Sequence, residues 1–156
     1  MYNEYRIVLT WGETPRDLDS HLTYYVDNEQ VSHIYFGHRS DSYQGDTLAV
    51  LDYDERDSFG PETVTITFNA DYVKDNGCFI YSVHDFSNRD STNSTELSMS
   101  DAVVHFYKGN ELYDIYRIQK NKVATEWRVF KIDKNGIRVL DGYRNQSDVY
   151  QVAQQS

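Results

Sequence analysis

The chain is short of cysteine, proline and positive charge, and no long apolar run interrupts it. A single cysteine, Cys78, excludes an internal disulfide. Set within "GCFIYSV", it reads as a small buried hydrophobe and not as a nucleophile. Two prolines in 156 residues exclude a proline-rich linker. Fifteen basic residues against 25 acidic ones leave a net charge of −10, a field that repels nucleic acid and anionic lipid and attracts cations. Apolar runs stay far below membrane-spanning length, and "MYNEYRIV" lacks the pattern of a signal peptide. Helical periodicity is missing too.

What the chain does have is aromatic and β-branched residues in short alternating runs. Tyrosine alone fills 14 positions. Such residues favour the pleated, half-buried surface of a sheet. Strand signals recur over 4–11, 21–26, 31–37, 46–54, 62–68, 78–86, 102–109, 111–118, 124–132 and 137–143. Gly109-Asn110 and Asn135-Gly136 lie between alternating runs and predict two hairpins. Ten short strands at this spacing predict an all-β, antiparallel β-sandwich with Greek-key or jelly-roll connections. One domain is expected over 1–143. The segment 144–156, "RNQSDVYQVAQQS" preceding no further strand signal, is expected to be a partly disordered tail.

The acidic residues are not spread evenly. Asp17 and Asp19 stand two apart, as do Asp52 and Asp54, so each pair presents its carboxylates from one face of an extended segment. Asp57 and Glu62 follow closely. Like charges held this near repel, and the repulsion grows as water is removed. A countercharge is therefore expected, either arginine (Arg16, Arg39 and Arg56 are near in sequence) or calcium, which takes six to eight hard oxygens. Counted from Asp52, an EF-hand fails, because Asp57 stands where glycine is required and Thr63 where glutamate is. A calcium site would have to be assembled from separate loops, with Asp17, Asp19, Asp52, Asp54, Asp57 and Glu62 as ligands. His21, His38 and Arg39 would support those ligands from behind. Gly60 and Pro61 would bend the chain just before Glu62.

Other chemistries have weaker sequence support. All five histidines lie in strand-like runs without helical i, i+4 spacing, so hydrogen-bonded structural roles are expected for them. In "SVHDFS", Ser82 and His84 share a strand face while Asp85 points the other way, which argues against a triad.

The segments "VLTWGETPRDLDSHL", "HIYFGHR", "LDYDERDSFGPETVTI" and "GCFIYSVHDFS", in that order, resemble the bacterial YfaP-like domain family over residues 5–86. Asp17, Leu18, Asp19 and His21 match its first motif, Gly37 and His38 its second, and Asp52, Asp54, Gly60, Pro61 and Glu62 its third. Ser20 departs from the apolar residue usual there. The opening is also similar to that of bacterial pre-peptidase C-terminal domains, small sandwiches that can carry calcium. The resemblance implies a non-catalytic accessory or binding module of the cell envelope or exterior, part of a larger multidomain protein. It transfers no catalytic residues. The expected function is thus a calcium-stabilised module with a protein or glycan ligand, without nucleic-acid binding or membrane insertion. A carbohydrate-binding module using exposed tyrosines and a small hydrolase are the competing readings.

Overall fold

The computed structural model describes residues 4–53 and 57–155. Eleven strands run through it: β1 (Glu4–Thr10), β2 (Leu18–Val26), β3 (Glu29–Ile34), β4 (Ser40–Tyr43), β5 (Asp46–Tyr53), β6 (Glu62–Thr67), β7 (Gly77–Asp85), β8 (Val103–Lys108), β9 (Glu111–Arg117), β10 (Glu126–Asp133) and β11 (Gly136–Arg144). They form two antiparallel sheets packed as a sandwich. One has the order β4-β5-β6-β1-β8-β9 and the other β11-β10-β7-β2-β3. The all-β sandwich expected from the strand rhythm is present. Only β4, whose sequence "SDSY" is polar, had no strand signal.

Alternation decides which side chains meet between the sheets. Ile7 and Leu9 of β1, Val64 and Ile66 of β6, and Val104 and Phe106 of β8 point inward from the six-stranded sheet. From the other sheet come Leu18, Leu22 and Tyr24 of β2, Phe79, Tyr81 and Val83 of β7, and Trp127, Phe130 and Ile132 of β10. Rings account for much of this layer, with Tyr81 stacked on Phe130 at 5.3 Å and Tyr24 on Phe79 at 4.6 Å. Aromatic pairs at such spacings add stabilisation beyond their buried area.

Both predicted hairpins are present, the second with its turn at 134–135, one residue before the Asn135-Gly136 signal. Lys108 pairs with Glu111 around Gly109 and Asn110, and Asp133 pairs with Gly136, which has a φ of 99°. Positive φ is the reason glycine serves there. The polar segment 87–101 forms an irregular loop that still buries Leu97, Ser98 and Ser100.

β2 and β7 are buried on both faces. Their outward side chains are covered by a third layer: the turn at Tyr35 and Phe36, and the chain after β11, which lies back across the five-stranded sheet. Val152 and Ala153 pack there against Tyr25, Cys78 and Ile80 in a second apolar cluster. The segment with a tail's composition is thus a strap in this structure. Cys78 is buried and free. Among the described residues no helix is long and apolar enough to cross a membrane.

Candidate functional site

Under the strap lies a grid of polar side chains. Antiparallel register sets Asp19 of β2 opposite His84 of β7, and His84 opposite Glu126 of β10. The next outward row is His21, Ser82 and Arg128. His33 arrives from β3, and its Nε2 lies 2.9 Å from His21 Nδ1. Asp19, His21, Ser82, His84 and Glu126 are all buried.

The strap holds this grid with backbone groups. The Gln146 carbonyl accepts from His84 Nε2 at 2.7 Å, which fixes the proton on that nitrogen and leaves Nδ1 with its lone pair. Glu126 accepts from Arg144 Nε at 2.7 Å and from the Ala153 N–H at 2.9 Å. Thr23 donates to the Ala153 carbonyl, and Tyr25 Oη accepts from the Gln155 N–H at 3.0 Å. Burial disfavours the charged form of an imidazole. It holds His33 down to about 4, helped by His38, and keeps His84 below its ordinary value despite the Gln146 carbonyl and Glu126. His21 falls well below its ordinary value through burial and the neighbouring His33 and His84.

A second polar region lies at the end of the sandwich where β2 begins. Asp17 accepts from the Phe86 N–H through its carbonyl at 3.1 Å, and its own N–H donates to Ser87 Oγ at 3.2 Å. Asp85, inward-facing and buried, accepts from Asn88 N–H at 3.1 Å and Asn88 Nδ2 at 2.8 Å. Burial raises its carboxyl to about 6 against those hydrogen bonds, with Glu96 and Asp17 adding their charges. Glu62, the first residue of β6, crosses between the sheets and accepts from the Ser20 N–H of β2 at 2.5 Å. Ser20 Oγ in turn lies 2.6 Å from Tyr81 Oη. The hydroxyl at position 20, where the sequence pattern favours an apolar residue, therefore has a partner within the core.

These positions decide how the expected acidic site stands. The segments carrying Asp17/Asp19 and Asp57/Glu62 do approach each other. Arg16 meets Asp57 at 2.5 Å, and Glu62 reaches Ser20. Their joining groups are an arginine and a backbone amide. Asp52 stands apart on β5, where Thr65 donates to it from β6. Asp54 lies outside the described residues. Among the described residues no group of three or more histidine, cysteine, aspartate or glutamate side chains is placed to hold a metal ion. The calcium site expected from the sequence is not found among the described residues. His38 lies 3.3 Å from Asp41 at the surface, near enough to His33 to oppose its protonation. Arg39 is exposed and accepts from the Leu51 N–H through its carbonyl at 2.6 Å. Gly60 takes a φ of 74°, and a Cβ there would lie 2.9 Å from the Leu9 carbonyl oxygen and the Trp11 ring. That bend brings Glu62 to β2.

Two features that the rival readings leaned on are not formed among the described residues. Tyr113 and Tyr150 are the strongly exposed tyrosines among the described residues, and they lie on separate elements. The other tyrosines whose side chains are described are buried or half-buried, so exposed tyrosines form no aligned platform among the described residues. Both oxygens of Asp85 are taken by Asn88, so "SVHDFS" forms no triad. Sequence reasoning missed Glu126 and Arg144. Their register partnership needed the fold, since "TEWRVF" carries no sign that its glutamate is buried.

No known protein family matches the chain, and no curated protein does. Solved structures do. A homologue of the telluride resistance protein TerD, SCO6318 from Streptomyces coelicolor A3(2), superposes with a TM-score of 0.66 at 19% identity, covering 99% of this chain and 97% of its own. The protein SAV2460, of unknown function, gives 0.60 at 15% identity over 94% of this chain and 91% of its own. These likenesses establish the fold as that of a TerD homologue. They replace the resemblance to YfaP-like and pre-peptidase C-terminal domains, and with it the calcium-stabilised envelope module, because the full-length superposition lies elsewhere.

Proposed function

We propose that the chain is a TerD-like binding module that acts in the cellular response to telluride without catalysing a reaction of its own. The observation that carries this reading is the superposition of 99% of the chain, both sheets included, on a homologue of the telluride resistance protein TerD. Site chemistry supports the non-catalytic part. General acid–base work needs a titratable group aimed at a substrate. Here Glu126 is taken by Arg144 and Ala153, His84 by the Gln146 carbonyl, and Asp85 by Asn88. Each holds the molecule together.

The purified chain incubated with tellurite and glutathione tests this directly. Deposition of elemental tellurium should proceed at the rate of glutathione alone. Multiple turnovers per chain would overturn the non-catalytic reading.

A further inference from the structure

Charge is segregated along the sequence in a way the net value of −10 conceals. Residues 117–144, covering the end of β9 and all of β10 and β11, hold eight of the 15 basic residues and only three of the 25 acidic ones. Those three acids are already engaged. Glu126 pairs with Arg144 at 2.7 Å, Asp133 with Arg138 at 2.7 Å, and Asp141 accepts from Trp127 Nε1 at 2.9 Å and Tyr143 Oη at 2.7 Å. The stretch that forms β10 and β11 is thus net basic within an acidic protein, with Lys120 also paired to Asp101 at 3.0 Å.

The sheet edge that this stretch forms is open. β9 ends one sheet and β11 ends the other, so both have a neighbouring strand on one side only. Between them runs a cleft of about 190 Å³, floored by Ile115, Tyr116, Trp127, Val129 and Val139 with Arg117 at its lip. Val139 is 63% exposed, and Leu112 and Tyr113 of β9 and Leu140 of β11 are exposed as well. The two-residue turn between Asp133 and Gly136 closes on a hydrogen-bonded pair. By strict alternation, Ile137 and Val139 then aim their backbone N–H and C=O away from β10. Past Val139 the register breaks, and Asp141 takes a φ of 47°. Only a short length of edge is presented, which limits open-ended pairing between copies.

We propose that this side docks an extended polypeptide segment of alternating acidic and aliphatic residues, added as a short strand to the β11 edge. Backbone pairing at Ile137 and Val139 supplies the strand contact. Side chains on one face of the added strand meet Val139 and the cleft and must be aliphatic. Those on the other face lie beside Arg138 and Lys131 and must be acidic. Charge complementarity favours a peptide of that pattern, since the rest of this chain has the same sign as the partner and repels it.

The test titrates the isotope-labelled full chain with a blocked seven-residue peptide of alternating glutamate and valine, followed by amide shifts. Shifts concentrated at Ile137–Val139 and Ile115 are expected, with affinity falling by about tenfold or more in Arg138→Glu and on adding high salt. Val139→Pro removes one outward N–H at an edge position that tolerates proline, and it should abolish the shifts without lowering the melting midpoint. If Val139→Pro does not fold, Arg138→Glu on the exposed face still decides. A lysine–valine peptide should leave the spectrum unchanged. Equal affinity in both variants would overturn the proposal. So would shifts located elsewhere, binding of phosphatidylserine vesicles or oligo-dT in place of the peptide, or concentration-dependent self-association through β11.

Discussion

Glu62 shows how one residue can carry more than its sequence context suggests. As the first residue of a strand after a Gly-Pro bend, it reads as a metal ligand, a cap for loop amides or a solvated strand end. In the structure it is fully buried and its carboxylate ties β6 to the Ser20 N–H of β2, joining one sheet to the other. Removing the acceptor strands a buried backbone donor and leaves a cavity. Glu62→Ala should therefore cost about 2–4 kcal/mol. Glu62→Gln, which keeps an oxygen there, should recover most of that loss. Urea unfolding midpoints of the two variants check this. Equal midpoints for Ala and Gln would show that the Ser20 contact is not the cause. The aspartates at 17, 19 and 52 were visible as acidic pairs in the sequence. Which of them meet was not, because Thr65 and Ser87 supply their partners from distant strands and loops.

At the scale of elements, the strap is the feature least legible in the sequence. "RNQSDVYQVAQQS" has no alternation and no helical period. Its anchors are the small residues Val152 and Ala153 and a set of backbone groups, which leave no compositional trace. β7, by contrast, reads directly: nine consecutive buried residues are what a strand covered on both faces requires. The strap makes a testable difference at Cys78, a thiol it shields and whose ionisation burial opposes. In the full chain Cys78 should resist thiol reagents, and a chain ending at Arg144 should react at least about tenfold faster. Unchanged reactivity after truncation would contradict the shielding.

The strapped grid also sets a pH dependence. His33, held near 4, and His21 and His84, also lowered, bind fewer protons folded than unfolded. Their contribution is complete above about pH 6.5 and is lost as pH falls from there toward 4, with His33 alone accounting for up to about 3 kcal/mol. Asp85 works in the opposite direction: raised to about 6, it gains stability as pH falls through that value. Three imidazoles outweigh one carboxyl, so the melting midpoint should be lower at pH 4.5 than at 7.5. A flat or rising profile would contradict the arrangement.

For the molecule as a whole, strand rhythm was enough to place it among antiparallel sandwiches, because turns and alternation are local. Partnership between sheets and the identity of the fold's relatives were not local, and short motifs such as "DLDSHL" pointed to the wrong neighbours. The superposition over nearly the full chain decided that question for the fold. The most direct measurement is growth on tellurite of a strain lacking its own telluride-resistance genes, with and without this chain expressed in soluble form. The account predicts a higher tolerated concentration when the chain is present and a return to the control level with Glu62→Ala. Equal tolerance with and without well-folded protein would contradict it.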